Sequence, residues 1–115
     1  MKKEKFPSVS QAIKILKQGG IIIFPTDTAF GIGCRIDDEK AIERLFKIRK
    51  RPVTQATSVL VDSISMAKEY VKSIPSDVKN NFIKKYWPGA LTLIVQCNRL
   101  KVPEPVRGGG STIGI

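Results

Sequence analysis

Not one histidine occurs among the 115 residues, and that absence removes several chemistries together. Ser-His-Asp and Cys-His nucleophile systems need an imidazole to carry a proton near neutral pH, and the usual zinc sites need one as a ligand. Cysteine is scarce as well. Cys34 and Cys97 lie far apart with no CxxC spacing, which argues against a metal site or redox pair and for buried free thiols. The P-loop pattern GxxxxGK[ST] is missing, and Gly31 and Gly33 lack the third spaced glycine of a dinucleotide fingerprint. No apolar run approaches the roughly 18 to 20 residues of a membrane span, and the opening MKKEKFPSVS has no apolar segment behind its basic residues, so a cytoplasmic protein without a membrane partner is expected. Acidic residues number 10 against 20 Lys and Arg, a net charge of +10. That excess favours anionic partners such as nucleotides, nucleic acid or an acidic surface. The chemistry left open is positioning and fixed positive charge, as in reactions at phosphorus.

What is present is organised around GGIIIFPTDTAFGIG, residues 19–33. Four consecutive apolar β-formers, residues 21–24, predict a buried strand, which Pro25 ends because it cannot donate to a ladder. Thr26, Asp27 and Thr28 follow where the chain leaves the sheet, and Gly31 and Gly33 allow close approach of a backbone or ligand. These threonines either line a site or cap a turn.

Around this stretch, helices and strands alternate, with no internal repeat. Val9, Ala12, Ile13 and Leu16 recur at helical spacing, with Ser8 or Ser10 as cap and Gly19 and Gly20 as the stop. Asp37 and Asp38 can cap a second helix with an apolar face of Ala41, Ile42, Leu45 and Phe46, ending before Pro52. Residues 57–61 suit a strand. A helix capped by Asp62 or Ser63 places Met66, Ala67, Tyr70 and Val71 inward, and another capped by Ser76 carries Val78, Phe82, Ile83 and Tyr86 up to the break at Trp87, Pro88 and Gly89. Residues 90–97 and 112–115 predict further strands. The order implies one α/β domain, and the arrival of Ile115 inside a strand suggests that the domain is cut short at its carboxyl end.

Candidate chemistry lies at four places. Arg49, Lys50 and Arg51 before Pro52 could grip a polyphosphate, or complement a helix dipole. Trp87 reads as a packing anchor, whereas Thr92, at the start of an apolar strand, bonds locally or faces a site. Gly108, Gly109 and Gly110 before Ser111 and Thr112 make either an anion-binding backbone or a flexible turn.

Four motifs in fixed order, PTDTAFGIG (25–33), RKRP (49–52), WPGALT (87–92) and STIGI (111–115), resemble the Sua5/YrdC/YciO family, whose members include threonylcarbamoyl-AMP synthase. The resemblance covers nearly the whole chain and implies a YrdC-like fold, a twisted mixed sheet with flanking helices, of which residues 1–115 are the amino-terminal part. It implies condensation of L-threonine, bicarbonate or CO2, and ATP to threonylcarbamoyl-AMP and pyrophosphate, with Mg2+, toward the t6A modification of tRNA and its transfer machinery. By resemblance, Thr26 and Thr28 lie in the threonine and nucleotide pocket. Arg49 and Arg51 match the basic pair of a KxR motif and would contact the threonine carboxylate, the carbamate or the phosphates. Thr92, Thr112, Ile113 and Gly114 line the same cavity, the last three largely through backbone. No catalytic nucleophile and no protein ligand to metal is implied.

The chain departs from the family pattern in places. Asp27 stands for the common Glu, Phe30 for Tyr and Arg49 for Lys, and the family's arginine after Ile115 and later Ser-Ala-Asn motif lie beyond the sequence. Synthase activity of this chain alone is therefore expected to be weak or absent. Other readings are a double-stranded RNA or tRNA-binding module of the same fold, a domain of a larger carbamoyl-transfer protein, and the YciO branch.

Overall fold

The computed structural model describes residues 8–115; the basic opening segment, residues 1–7, lies outside the described residues. The chain divides into two compact units, the first ending at Arg49 and the second running from Lys50 to Ile115.

In the first unit, α1 (Val9–Lys17) starts at a capping box: the Ser8 hydroxyl accepts from the Gln11 backbone N–H while the Gln11 side chain accepts from the Ser8 N–H. It ends as expected at Gly19, whose φ of +81° suits glycine. Strand β1 (Ile22–Phe24) pairs antiparallel with β2 (Gly31–Gly33), register Ile22 to Gly33 and Phe24 to Gly31. The expectation of a buried strand is corrected here: Ile23 is 71% exposed, because a two-stranded ladder covers one face only. Asp38 begins α2 (Glu39–Arg49), its carboxylate accepting from the Ala41 N–H at 3.0 Å, while Asp37 instead pairs with Arg35 at 2.6 Å. Ala41, Ile42, Leu45 and Phe46 are all buried, as the periodicity requires. The three larger ones contribute about 1.5–3 kcal/mol each.

The second unit opens with Lys50 in the left-handed region, φ +52°, which turns the chain out of α2. Residues 57–61 form no continuous ladder, contrary to the strand expected there. They run alongside β4 (Thr112–Gly114) through the bond from Val59 N–H to the Gly114 carbonyl at 2.8 Å, while Thr57 donates to Val106. Helix α3 (Ile64–Tyr70) is capped by Ser63, which accepts from Met66 N–H at 3.1 Å. A further rod comprises α4 (Ser76–Val78), a π-helical segment (Lys79–Ile83) and α5 (Lys84–Tyr86). Ser76 does not cap it. Pro75 already holds the entry position, with φ −59° and ψ 147°, and no side chain bonds the first turn. The wider π turn breaks the 3.6-residue stripe, so Ile83 is buried while Phe82 and Tyr86 stay exposed.

The long strand expected at residues 90–97 contracts to β3 (Ile94–Gln96), paired antiparallel with β4 in the register Ile94 to Gly114 and Gln96 to Thr112. Flanking bonds extend the pairing: Leu93 and Ile115 exchange both backbone bonds, and Cys97 N–H donates to Ser111. Side chains therefore alternate. Cys97, Ile113 and Ile115 are buried with Val71, Ala67, Ile83, Val102 and Val106, whereas Ile94, Gln96 and Thr112 are exposed. Helices alternate with two short antiparallel ladders among the described residues, an α/β arrangement. No helix among the described residues is long and apolar enough to cross a membrane.

Candidate functional site

The turn after β1 is built by Thr26. Its hydroxyl donates to the Ala29 carbonyl and accepts from the Thr28 N–H at 3.3 Å, closing residues 26–29 on themselves. This is the capping arrangement, and it leaves Thr28 exposed at the tip beside Asp27. Gly31 and Gly33 have a different partner from the one anticipated. A methyl group on Gly31 would lie 2.7 Å from the Phe24 ring, and one on Gly33 would lie 3.2 Å from it. The close approach these glycines permit is that of Phe24, which folds across the hairpin and sets the strand end from which Thr26 and Thr28 project.

Arg49 closes α2, where its charge with that of Lys47 complements the carboxyl end of the helix dipole. Arg51, the second residue of the second unit, is turned onto its own loop. Its guanidinium donates to the Gln55 carbonyl at 3.3 Å and to the Ala56 carbonyl. A forked cation held by two carbonyls is oriented, and it has further N–H groups left to donate.

Thr92, Gly114 and Thr112 occupy the open face of the β3/β4 ladder, with Thr92 one step beyond the Leu93–Ile115 pair. A methyl group at Gly114 would lie 3.2 Å from Thr92 Cγ2, 3.4 Å from Ile94 Cδ1 and 3.4 Å from Ser58 Oγ. Glycine there keeps open a shallow floor between two hydroxyl residues. Ile113 points the other way and is 1% exposed. Its register opposite Val95, two steps from a doubly bonded pair, commits its N–H and C=O to the ladder. Ser58 was missed in the sequence because residues 57–61 were read for their apolar run. The signal is a second hydroxyl, after that of Thr57, at the head of the apolar run, and the bond from Val59 to Gly114 sets it against β4. Thr26, Thr28 and Arg49 thus belong to the first unit, and Arg51, Thr92, Thr112, Ile113 and Gly114 to the second.

Of the cysteines, Cys97 is buried and Cys34 half-buried, both as free thiols. Burial pushes the Cys34 thiol above its ordinary value of 9.0, the Asp38 carboxylate adds to this, and Arg44 opposes it. Among the described residues no group of three or more Cys, Asp or Glu could hold a metal ion.

A family model for Sua5/YciO/YrdC proteins, described as "Telomere recombination", matches residues 14–115. The chain belongs to the Sua5/YciO/YrdC family. Threonylcarbamoyl-AMP synthase of Bacillus subtilis is 29% identical over 109 residues, covering 95% of this chain and 31% of the relative. That of Pseudoalteromonas translucida is 31% identical over 110 residues, covering 94% of this chain and 58% of the relative. The crystal structure of P. abyssi Sua5 complexed with L-threonine matches with a TM-score of 0.83 at 30% identity, over 90% of this chain and 30% of that one. E. coli YciO matches with a TM-score of 0.74 at 28% identity, over 90% of this chain and 50% of the other. The α/β arrangement is therefore that of the Sua5/YciO family, and the chain spans between about a third and somewhat over half of these relatives' length.

Proposed function

We propose that this chain forms the L-threonine- and nucleotide-recognising part of a threonylcarbamoyl-AMP synthase. The observation that carries the reading is the match, over 90% of the chain and at a TM-score of 0.83, to P. abyssi Sua5 complexed with L-threonine. The open face of Thr92, Thr112 and Gly114, with the Ser58 hydroxyl and the Thr92 methyl beside Gly114, is compatible with a small amino acid that is part polar and part apolar. In the proposed reaction the threonine amine adds to CO2, releasing a proton and forming a carbamate. A carbamate oxygen then attacks the α-phosphorus of ATP, and pyrophosphate leaves.

The residues' parts follow from their chemistry. Thr92 and Ser58 offer hydroxyls to the amino acid, and Thr112 flanks them through its side chain and backbone. Ile113 contributes by holding the ladder that carries Gly114. Thr28 and the turn built by Thr26 present polar groups to the substrates. Arg49 and Arg51 supply fixed positive charge for the carboxylate, carbamate or phosphates, so that developing negative charge is stabilised without a nucleophile or proton relay. The donor set among the described residues does not fit a resident metal, so Mg2+ enters as MgATP, a substrate.

A thermal melt of the 115-residue chain, together with pyrophosphate release, tests the proposal. L-Threonine with MgATP and bicarbonate should raise the midpoint, by about 2.7 kcal/mol of stabilisation at roughly 100 times Kd, while L-serine does so weakly. Substituting Thr92→Ala should remove the threonine-dependent part. Pyrophosphate release is expected to fall well below that of a longer family member. A midpoint raised by a short RNA duplex and indifferent to L-threonine would overturn the reading in favour of a nucleic-acid-binding module.

A further inference from the structure

At the end of the β3/β4 ladder away from Ile115 lies a cleft of about 490 Å³ lined by Lys72, Gln96, Cys97, Asn98, Arg99 and Ser111. Its walls are fixed from both sides. Cys97 N–H donates to Ser111 at 2.9 Å on the β4 side, while on the other edge Lys72 N–H donates to Gln96 at 2.9 Å and Asn98 N–H to Tyr70 at 2.8 Å. The Asn98 carboxamide oxygen is held by the Leu100 N–H at 3.1 Å, which orients that side chain at the rim. Backbone pairing thus brings two cations and three neutral polar side chains to one mouth. No carboxylate lines it, and neither Lys72 nor Arg99 is paired with one among the described residues.

We infer that this cleft is a second anion site, one that takes a phosphate group. Its volume lies within the range of small-molecule sites, so it admits more than a lone ion. Lysine provides a compact point charge and arginine a planar fork for two phosphate oxygens, while Gln96, Asn98 and Ser111 can meet the remaining oxygens with amide and hydroxyl donors. The cleft meets the open face at Thr112, the register partner of Gln96, but stands apart from Thr92: four residue steps of extended chain separate Thr92 from Gln96, about 14 Å along the strand. It does not depend on the threonine reading. The phosphate could be that of a free nucleotide or pyrophosphate, or of an RNA backbone, and the recognising chemistry is the same.

The test is an amide-resolved NMR titration of the full chain with inorganic pyrophosphate, repeated with AMP and with a short RNA duplex. Pyrophosphate should shift the amides of Lys72, residues 96–99 and Ser111, with those of Thr92 and Gly114 much less affected. The double substitution Lys72→Gln and Arg99→Gln changes two exposed side chains. It should weaken this binding about tenfold or more, whereas Thr92→Ala should not. A thermal melt of each variant establishes that the fold is retained. Saturable one-to-one binding of AMP, with the duplex failing to displace it, identifies a small phosphate ligand. Displacement of pyrophosphate by the duplex, with affinity falling steeply with salt, identifies a nucleic-acid backbone. Shifts confined to Thr92 and Gly114, or pyrophosphate affinity unchanged in a folded double variant, would overturn the assignment.

Discussion

At the scale of single residues, Cys34 shows how local charge and burial set reactivity. The thiol stands beside Asp38, whose carboxylate caps α2, and near Arg44, whose guanidinium donates to the Gly19 carbonyl. Burial acts first and the carboxylate second, both holding the thiol protonated above its ordinary value of 9.0. The sign of the linkage follows. Below that value both folded and unfolded chains keep the proton, and the thiol has no effect on stability. Above it the unfolded chain loses its proton first, so stability falls as pH rises until the native thiol also ionises. Urea midpoints from about pH 7.5 to about pH 10.5 should therefore fall more for the wild type than for Cys34→Ser. Alkylation of Cys34 by iodoacetamide should be slower than that of a peptide cysteine near pH 9, and slower still in Arg44→Gln, which removes the opposing cation. Equal rates for protein and peptide across that range would contradict the argument. The same scale shows what a sequence conceals. Gly31 and Gly33 invite a ligand on paper, but the close neighbour is the Phe24 ring, reached only when the hairpin closes.

Elements differ in how far local pattern determines them. α2 and α3 were legible because a helix bonds within itself: their capping residues, Asp38 and Ser63, and apolar spacing lie within a few positions. Strands depend on partners distant in sequence. Residues 57–61 have the composition of a strand and form no continuous ladder, whereas the ladder of β3 and β4 joins segments separated by the whole loop between Gln96 and Thr112. Which face of that ladder is open decides the candidate site, and only the register reveals it. The faces can be told apart by two isoleucines. Ile113→Ala removes a fully buried side chain and should cost about 2–5 kcal/mol. Ile94, 72% exposed on the opposite face, should cost no more than about 0.5 kcal/mol on the same change. Denaturant midpoints of the two variants at constant m-value measure this. Similar losses at both positions would mean that the ladder's outer face is covered too, and that the floor of Thr92 and Gly114 is not open.

For the whole molecule, the family was readable because PTDTAFGIG and WPGALT are distinctive in themselves and the four motifs stand in a fixed order and spacing. The convergence of Ser58 on Thr92 and Gly114 was not, since it arises from pairing between residues far apart in the chain. Charge is the property that belongs to the molecule as a unit. A net charge of +10 on 115 residues makes the folded state repel itself, and the Arg35–Asp37 ion pair, spanning two residues within one exposed turn, does little to offset it. Raising NaCl from about 0.01 M to 0.1 M shortens the screening length from roughly 30 Å to 10 Å, so the urea midpoint should rise with salt. A fall would mean that attractive pairs outweigh the repulsion. Pyrophosphate at matched ionic strength separates screening from binding. Screening alone gives equal midpoints in the two salts, whereas an occupied cleft gives a higher midpoint in pyrophosphate. That surplus should disappear in the Lys72→Gln, Arg99→Gln variant. The rise with NaCl should persist there, because a net charge reduced by two still leaves a strongly basic chain.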